Sequence, residues 1–133
     1  MENKRQYELP LGELIERLTI VQLRELLLNS NKYEKEIGAL EHDIDIILKE
    51  KNVIPNARII RIIFLTAQLN TLIWVYKDKM QEGEENYHQF LKLSHQLNGL
   101  RNKMKNLLME EIDNIDGQHT NVNTDGLEFH LSI

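Results

Sequence analysis

Residues 11–28 read Leu11-Gly12-Glu13-Leu14-Ile15-Glu16-Arg17-Leu18-Thr19-Ile20-Val21-Gln22-Leu23-Arg24-Glu25-Leu26-Leu27-Leu28, directly after Pro10. On a wheel of about 100° per residue, Leu11, Leu14, Ile15, Leu18, Val21 and Leu28 fall on one wide arc. That period predicts a helix running from Pro10 to about Asn29, where Asn29, Ser30 and Asn31 break the pattern. Glu13, Arg17 and Arg24 occupy a narrow sector of the same wheel. The main arc flanks them on one side, and Ile20, Leu23 and Leu27 flank them on the other. A surface helix has one apolar stripe and one polar face. Two apolar flanks predict a helix contacted from two directions, central to its bundle, with its charged stripe partly enclosed. Enclosed charges need partners, because an unpaired buried charge costs several kcal/mol.

Working outward, a second helix is expected from about Lys32 to Lys51, with Ile37, Leu40, Ile44, Ile47 and Leu48 on its apolar side. Asn52 to Asn56, with Pro55 inside, is the next break. A third helix runs from about Ala57 to Gln81, and Gly83 ends or kinks it. A fourth runs from about Glu84 to Ile115, with Gly117 as the stop. Short turns between long helices favour antiparallel neighbours. The expected fold is an all-α antiparallel bundle of three to four long helices over residues 1–116. Residues 117–133 form a tail or short β element. Thr124-Asp125-Gly126 signals a turn, and Leu127, Phe129, Leu131 and Ile133 alternate with polar residues. Such a strand is marginal alone. It docks on the bundle, pairs with Thr120 to Asn123, adds to another subunit, or frays.

The chain has 133 residues, a formal charge of −5, 41% apolar and 28% charged residues, the composition of one soluble globular domain. Zero cysteines exclude a disulfide framework, a thiol nucleophile and a cysteine zinc site. The acidic balance argues against a bulk nucleic-acid binder. Met1 to Pro10 carry no apolar core of a signal peptide. The most apolar stretch, Ile59 to Val75, is interrupted by Arg61, Gln68 and Asn70 and falls short of the ~20 residues that span a bilayer. It reads as a buried helix with no membrane partner, in a cytoplasmic protein. The apolar excess on the first and third helices exceeds what one small bundle needs, so a homo-oligomer is expected.

Polar stripes recur on helices that should be buried. On the first, Glu13 and Arg17 are spaced for an i, i+4 pair, with Arg24 bound to a carboxylate elsewhere; alternatively both arginines await an anion. On the third, Thr66, Asn70, Trp74, Lys77 and Asp78 follow one face. The plain reading makes Trp74 core and bonds Asn70 to a neighbouring helix. The sharper reading stacks a flat ligand on the indole. On the fourth, Ser94, Asn98, Arg101, Asn102 and Lys105 share a face. Arg101 and Lys105 either clamp a phosphate or carboxylate, or pair with Glu13, Glu16 or Asp78 across the bundle. Glu84, His88 and His95 make a weak metal set, and Glu41, Asp43 and Asp45 an acidic cluster in which Asp43 and Asp45 do not share a face. No glycine-rich phosphate loop and no nucleophile elbow is present. No metal and no cofactor is expected.

The stretch Leu11 to Val21 resembles the GELID(K/R)LTI signature of a group of uncharacterised bacterial and bacteriophage helical proteins. The resemblance continues at Arg24, at Asn70-Thr71-Leu72-Ile73-Trp74 and at Leu97-Asn98-Gly99-Leu100-Arg101 with Lys105. It departs after Trp74, where Lys77, Asp78 and Gln81 replace an acidic pair and arginine, and at Gly99, where an aspartate is usual. The resembling positions are the polar stripes, so the resemblance implies a shared pocket. Its expected occupant is an anionic small molecule, a nucleotide or nucleotide-derived signal. Arg17, Arg24, Arg101 and Lys105 would neutralise phosphate, Asn70 would read an edge and Trp74 would stack, with Glu13 and Asn98 completing the set. In a bacteriophage setting the expected role is a sponge for a host immune nucleotide. Two alternatives stand beside it. One is a structural or assembly module acting through oligomerisation. The other is a Mg²⁺-dependent nucleotide hydrolase. Glu13-Leu14-Ile15-Glu16 and Glu110-Glu111-Ile112-Asp113 resemble the paired acidic motifs of all-helical nucleotide pyrophosphatases, although nearly the whole chain separates them here.

Overall fold

A computed structural model describes residues 4–112 and 131–133. Four long helices follow one another: α1 (Leu11–Leu28), α2 (Glu34–Glu50), α3 (Ala57–Lys79) and α4 (Glu84–Ile112). The architecture is the expected all-α bundle. The turns have local causes. Pro10 opens α1 with an extended backbone, and its carbonyl accepts from the amides of Glu13 and Leu14, both at 3.1 Å. Asn29 closes α1 at φ 47°, a left-handed conformation that asparagine tolerates. A 3-10 turn, Asn31–Tyr33, capped by the Ser30 hydroxyl, leads into α2. Asn56 caps α3, its side-chain oxygen accepting from the Ile59 amide at 2.9 Å. A second 3-10 turn, Met80–Glu82, ends at Gly83, whose φ of 150° strains any other L-residue.

Helix α1 is central, as expected, although Leu28 of its main arc and Leu27 of its second flank are 50% and 48% exposed. Its backbone approaches α2, α3 and α4, whereas that of α2 lies against α1 alone among the long helices. α4 runs antiparallel to α1 and to α3, with Lys105 beside Glu13 and Arg58 bound to Glu111 at 3.0 Å. α1 and α3 therefore run in the same direction. Leu11, Leu14, Leu40, Ile62, Leu97, Met104 and Leu108 are fully enclosed between them. α1 and α4 meet closely at Gly12. A Cβ there would stand 3.0 Å from Met109 Cγ and 3.3 Å from the Met109 backbone nitrogen.

The segment before α1 is fastened by Asp43, a fully buried carboxylate on α2. It accepts from the amide of Gln6 at 2.7 and 2.9 Å and from that of Tyr7 at 2.6 Å. Arg5 donates to the Leu9 carbonyl, and the ring of His42 meets the Lys4 carbonyl at 3.1 Å. The ring of Tyr7 then lies 5.4 Å from the Arg17 guanidinium. Nothing in the acidic run 41–45 marked Asp43 as different except its place within the apolar face of Leu40, Ile44 and Ile47.

One expectation changes. α3 is not enclosed. Ile60, Phe64, Leu72 and Val75 lie on its outer side, with Phe64 63% exposed. α3 also outruns the apolar stretch. With its terminal turn it covers Ala57–Glu82, long and apolar enough by length and composition to cross a membrane, and only 33% of its most apolar window is buried. At the other end, Leu131 and Ile133 pack on the core and Arg61 donates to the Ser132 carbonyl, so the last three residues dock on the bundle. They form no strand. The expected turn at residues 124–126 and the remainder of the alternating stretch lie outside the described residues.

Two outcomes are expected. Asp43→Ala leaves the part-buried amides of Gln6 and Tyr7 without their acceptor and lowers the urea unfolding free energy by about 1–3 kcal/mol. Gly12→Ala forces α4 away from α1 and costs about 1–3 kcal/mol in the same measurement.

Candidate functional site

The polar stripes of α1, α3 and α4 meet in the middle of the bundle. Thr19 donates to its own helix at the Glu16 carbonyl (2.6 Å) and accepts from Asn70 Nδ2 at 2.7 Å. Asn70 Oδ1 accepts from Arg101 Nη1 at 3.0 Å, and Arg101 Nη2 donates to Asn98. Asn70 is buried, and its two bonds use both ends of the amide. Arg101 Nε is enclosed without a hydrogen bond, 3.9 Å from Glu16 Oε1. This network ties three helices through one guanidinium. It fulfils the plain reading of Asn70 and leaves Arg101 partly buried, with its bond to Asn98 at the surface.

Beside it a groove of about 390 Å³ opens between the N-terminal segment, α1, α2 and the side chain of Lys105. Leu9, Ile20 and Val21 supply apolar wall. Glu13, Glu16, Arg17, Arg24, Glu36 and Lys105 supply charge, three of each sign. Arg17 does not pair with Glu13. It binds Glu36 of α2, with Nη2 at 2.8 Å and Nε at 2.9 Å from the same oxygen. Glu13 turns instead toward Lys105 Nζ at 3.8 Å, and Glu16 lies 3.7 Å from the same ammonium. Those separations allow Coulomb attraction but are too long for hydrogen bonds. The floor of the groove therefore keeps hydrogen-bonding capacity on Lys105, Glu13 and Glu16. Arg24, exposed at the rim, has no ion-pair partner among the described residues.

The eight residues expected to bind a ligand thus divide. Glu13, Arg17, Arg24 and Lys105 line the groove. Asn70, Asn98 and Arg101 form the adjoining network. Trp74, half-buried one turn beyond Asn70, lines neither. Arg101 and Lys105 both approach one α1 carboxylate, Glu16, at 3.9 and 3.7 Å, while Arg101 also bonds Asn70 of α3 and Lys105 also lies beside Glu13, which is the expected pairing across the bundle. Sequence reasoning left out Glu36 and Leu9 of the groove, and read Asp43 only as one of an acidic cluster. The first two become legible only once α2 and the N-terminal segment are placed on α1.

The hydrolase reading draws on Glu13, Glu16, Glu110 and Asp113. Glu13 and Glu16 face Lys105 and Arg101, Glu110 is exposed on α4, and Asp113 lies outside the described residues. Among the described residues, no group of three or more histidines and carboxylates is placed to hold a metal. Glu84, His88 and His95 are exposed on α4. No family model, curated protein or solved structure matches the chain.

Removing either end of the Asn70–Arg101 bond strands the other. Asn70→Ala and Arg101→Met are each expected to cost about 2–3 kcal/mol. In a double-mutant cycle read by urea unfolding, their coupling should be on the order of 1–2 kcal/mol.

Proposed function

We propose that the protein is a binding module for a small anionic molecule that also carries hydroxyl or amino donors, of which a nucleotide is the leading candidate. The observation that supports this reading is the unspent polar floor of the groove. Lys105 stands between two carboxylates at distances that leave its ammonium protons unbonded. A phosphate there would accept from Lys105, with Arg24 closing from the rim. Glu13 and Glu16 are acceptors suited to sugar hydroxyls or an amine. The apolar wall of Leu9, Ile20 and Val21 suits a flat ring. Arg17, bonded to Glu36 and set over Tyr7, is held as a fixed part of the groove wall.

Binding without turnover fits this site better than hydrolysis, because the acidic pair is engaged by cations and not by further carboxylates. In the bacteriophage setting implied by the resemblance of residues 11–21, such a module would sequester a host nucleotide signal. The near balance of charge in the groove makes the interaction selective for a ligand with both an anion and donors. A bare anion would be repelled by Glu13, Glu16 and Glu36.

Calorimetry with AMP, cyclic AMP, ribose 5-phosphate and inorganic phosphate tests the reading. At least one nucleotide or sugar phosphate should bind, phosphate alone should bind at least tenfold more weakly, and the ligand should be recovered intact by chromatography. Arg24→Ala should weaken binding on the order of tenfold, equivalent to about 1.4 kcal/mol, with unfolding unchanged because Arg24 is exposed. Equal binding by Arg24→Ala, or no heat from any of the four probes, would sink the assignment.

A further inference from the structure

The outer face of α3 carries a pattern that the groove does not explain. Arg61, Phe64, Gln68, Thr71, Val75 and Asp78 are all exposed and follow one another at intervals of three, four, three, four and three residues. That alternation keeps the six on one face at the 3.5-residue spacing at which helices pair, with Phe64 and Val75 as its two apolar members. Ile60 and Leu72 flank it, both exposed. The seam is also symmetric in its chemistry. About the midpoint between Leu69 and Asn70, Arg61 mirrors Asp78, Phe64 mirrors Val75, and Gln68 mirrors Thr71. Each mirrored pair is complementary: cation with anion, apolar with apolar, amide with hydroxyl. Neither Arg61 nor Asp78 has an oppositely charged partner among the described residues of its own chain. The one hydrogen bond of Arg61 to the Ser132 carbonyl leaves most of its guanidinium donors uncommitted.

We infer that this face is an isologous interface with a second copy of the chain, in which two α3 helices pack antiparallel across a two-fold axis at positions 69–70. A two-fold axis brings each residue of the seam opposite its mirror in the partner. Arg61 then meets Asp78 of the second copy twice, once at each end of a contact about 26 Å long. Phe64 packs on Val75 twice, and Gln68 bonds Thr71 twice at the centre. The 3.5-residue spacing gives the shallow crossing, about 20°, that such pairing adopts. A parallel arrangement would instead set like charges against each other at both ends. This interface leaves the groove between α1 and α2 open, so the inference stands independently of the ligand reading.

Equilibrium sedimentation of the full chain tests it, with circular dichroism on every variant as the check on folding. The parent chain should be a dimer. Arg61→Asp places two carboxylates together at both ends and should raise the dissociation constant on the order of tenfold or more. Asp78→Arg should do the same with two cations. The double reversal, Arg61→Asp with Asp78→Arg, should restore the parent affinity, a rescue that a general surface effect does not give. Phe64→Asp should yield a folded monomer. A parent chain that stays monomeric at hundreds of micromolar overturns the inference. So does a dimer indifferent to Arg61→Asp, or one that the double reversal fails to rescue. Flotation with phosphatidylglycerol–phosphatidylcholine vesicles covers the remaining occupant. A monomer that floats with vesicles, and loses that association in Phe64→Asp, would assign the face to a lipid surface and overturn the paired helix.

Discussion

Arg101 places a permanent positive charge where three helices meet, and that constraint sets much of the bundle's register. A guanidinium cannot be neutralised by losing its proton, so enclosing it calls for acceptors or a counter-charge around it. Asn70 supplies one from α3, Asn98 one from its own helix, and Glu16 a carboxylate from α1. Sliding α3 by one turn would move Asn70 away from both Thr19 and Arg101. Sliding α1 would remove Glu16. Apolar attraction by itself would tolerate such shifts, since it is not directional, although the close approach at Gly12 resists a slide of α1 along α4. The polar junction would not tolerate them. Polar groups inside the bundle thus select one alignment out of several that apolar attraction alone would accept.

Helix positions and the centrality of α1 were legible from pattern alone, for a clear reason. Leu11, Leu14, Ile15, Val21 and the second apolar flank report directly on how many neighbours a helix has, whatever those neighbours are. Partner identity was not legible. On the wheel, Glu13 and Arg17 stand four residues apart and look like a pair. In the fold, α4 draws Glu13 toward Lys105, and α2 draws Arg17 to Glu36. A wheel gives an angle around one helix and says nothing about which charge the next helix brings to that angle. Trp74 shows the same limit along the axis. It shares a face with Asn70 but sits a turn away, outside both the network and the groove. Asp43 failed for a different reason. It was read with its acidic neighbours in sequence, although its apolar neighbours at helical spacing marked it as inward-facing.

The third helix shows what hydropathy averages conceal. Its composition suggested enclosure on all sides, yet its buried polar residues, Thr66 and Asn70, face inward while Phe64, Leu72 and Val75 face outward. Mean hydropathy over the window is the same either way. The inward polarity reflects the junction with Arg101. The outward apolarity has no intramolecular cause among the described residues.

The attachment of α2 has its own consequence. α2 rests on α1 alone among the long helices, and the N-terminal segment is fastened chiefly to α2 through Asp43. Contacts of that kind open together, because loss of α2 releases Asp43 and with it the segment. The α1–α3–α4 core, joined by Arg101, can outlast that opening. Amide protons of α2 should therefore exchange with solvent through a partial opening of lower free energy than the one that exposes α3 and α4. Two walls of the groove, Leu9 and Glu36, belong to the part that opens. A molecule held there would slow exchange across the whole of α2, including amides it never touches.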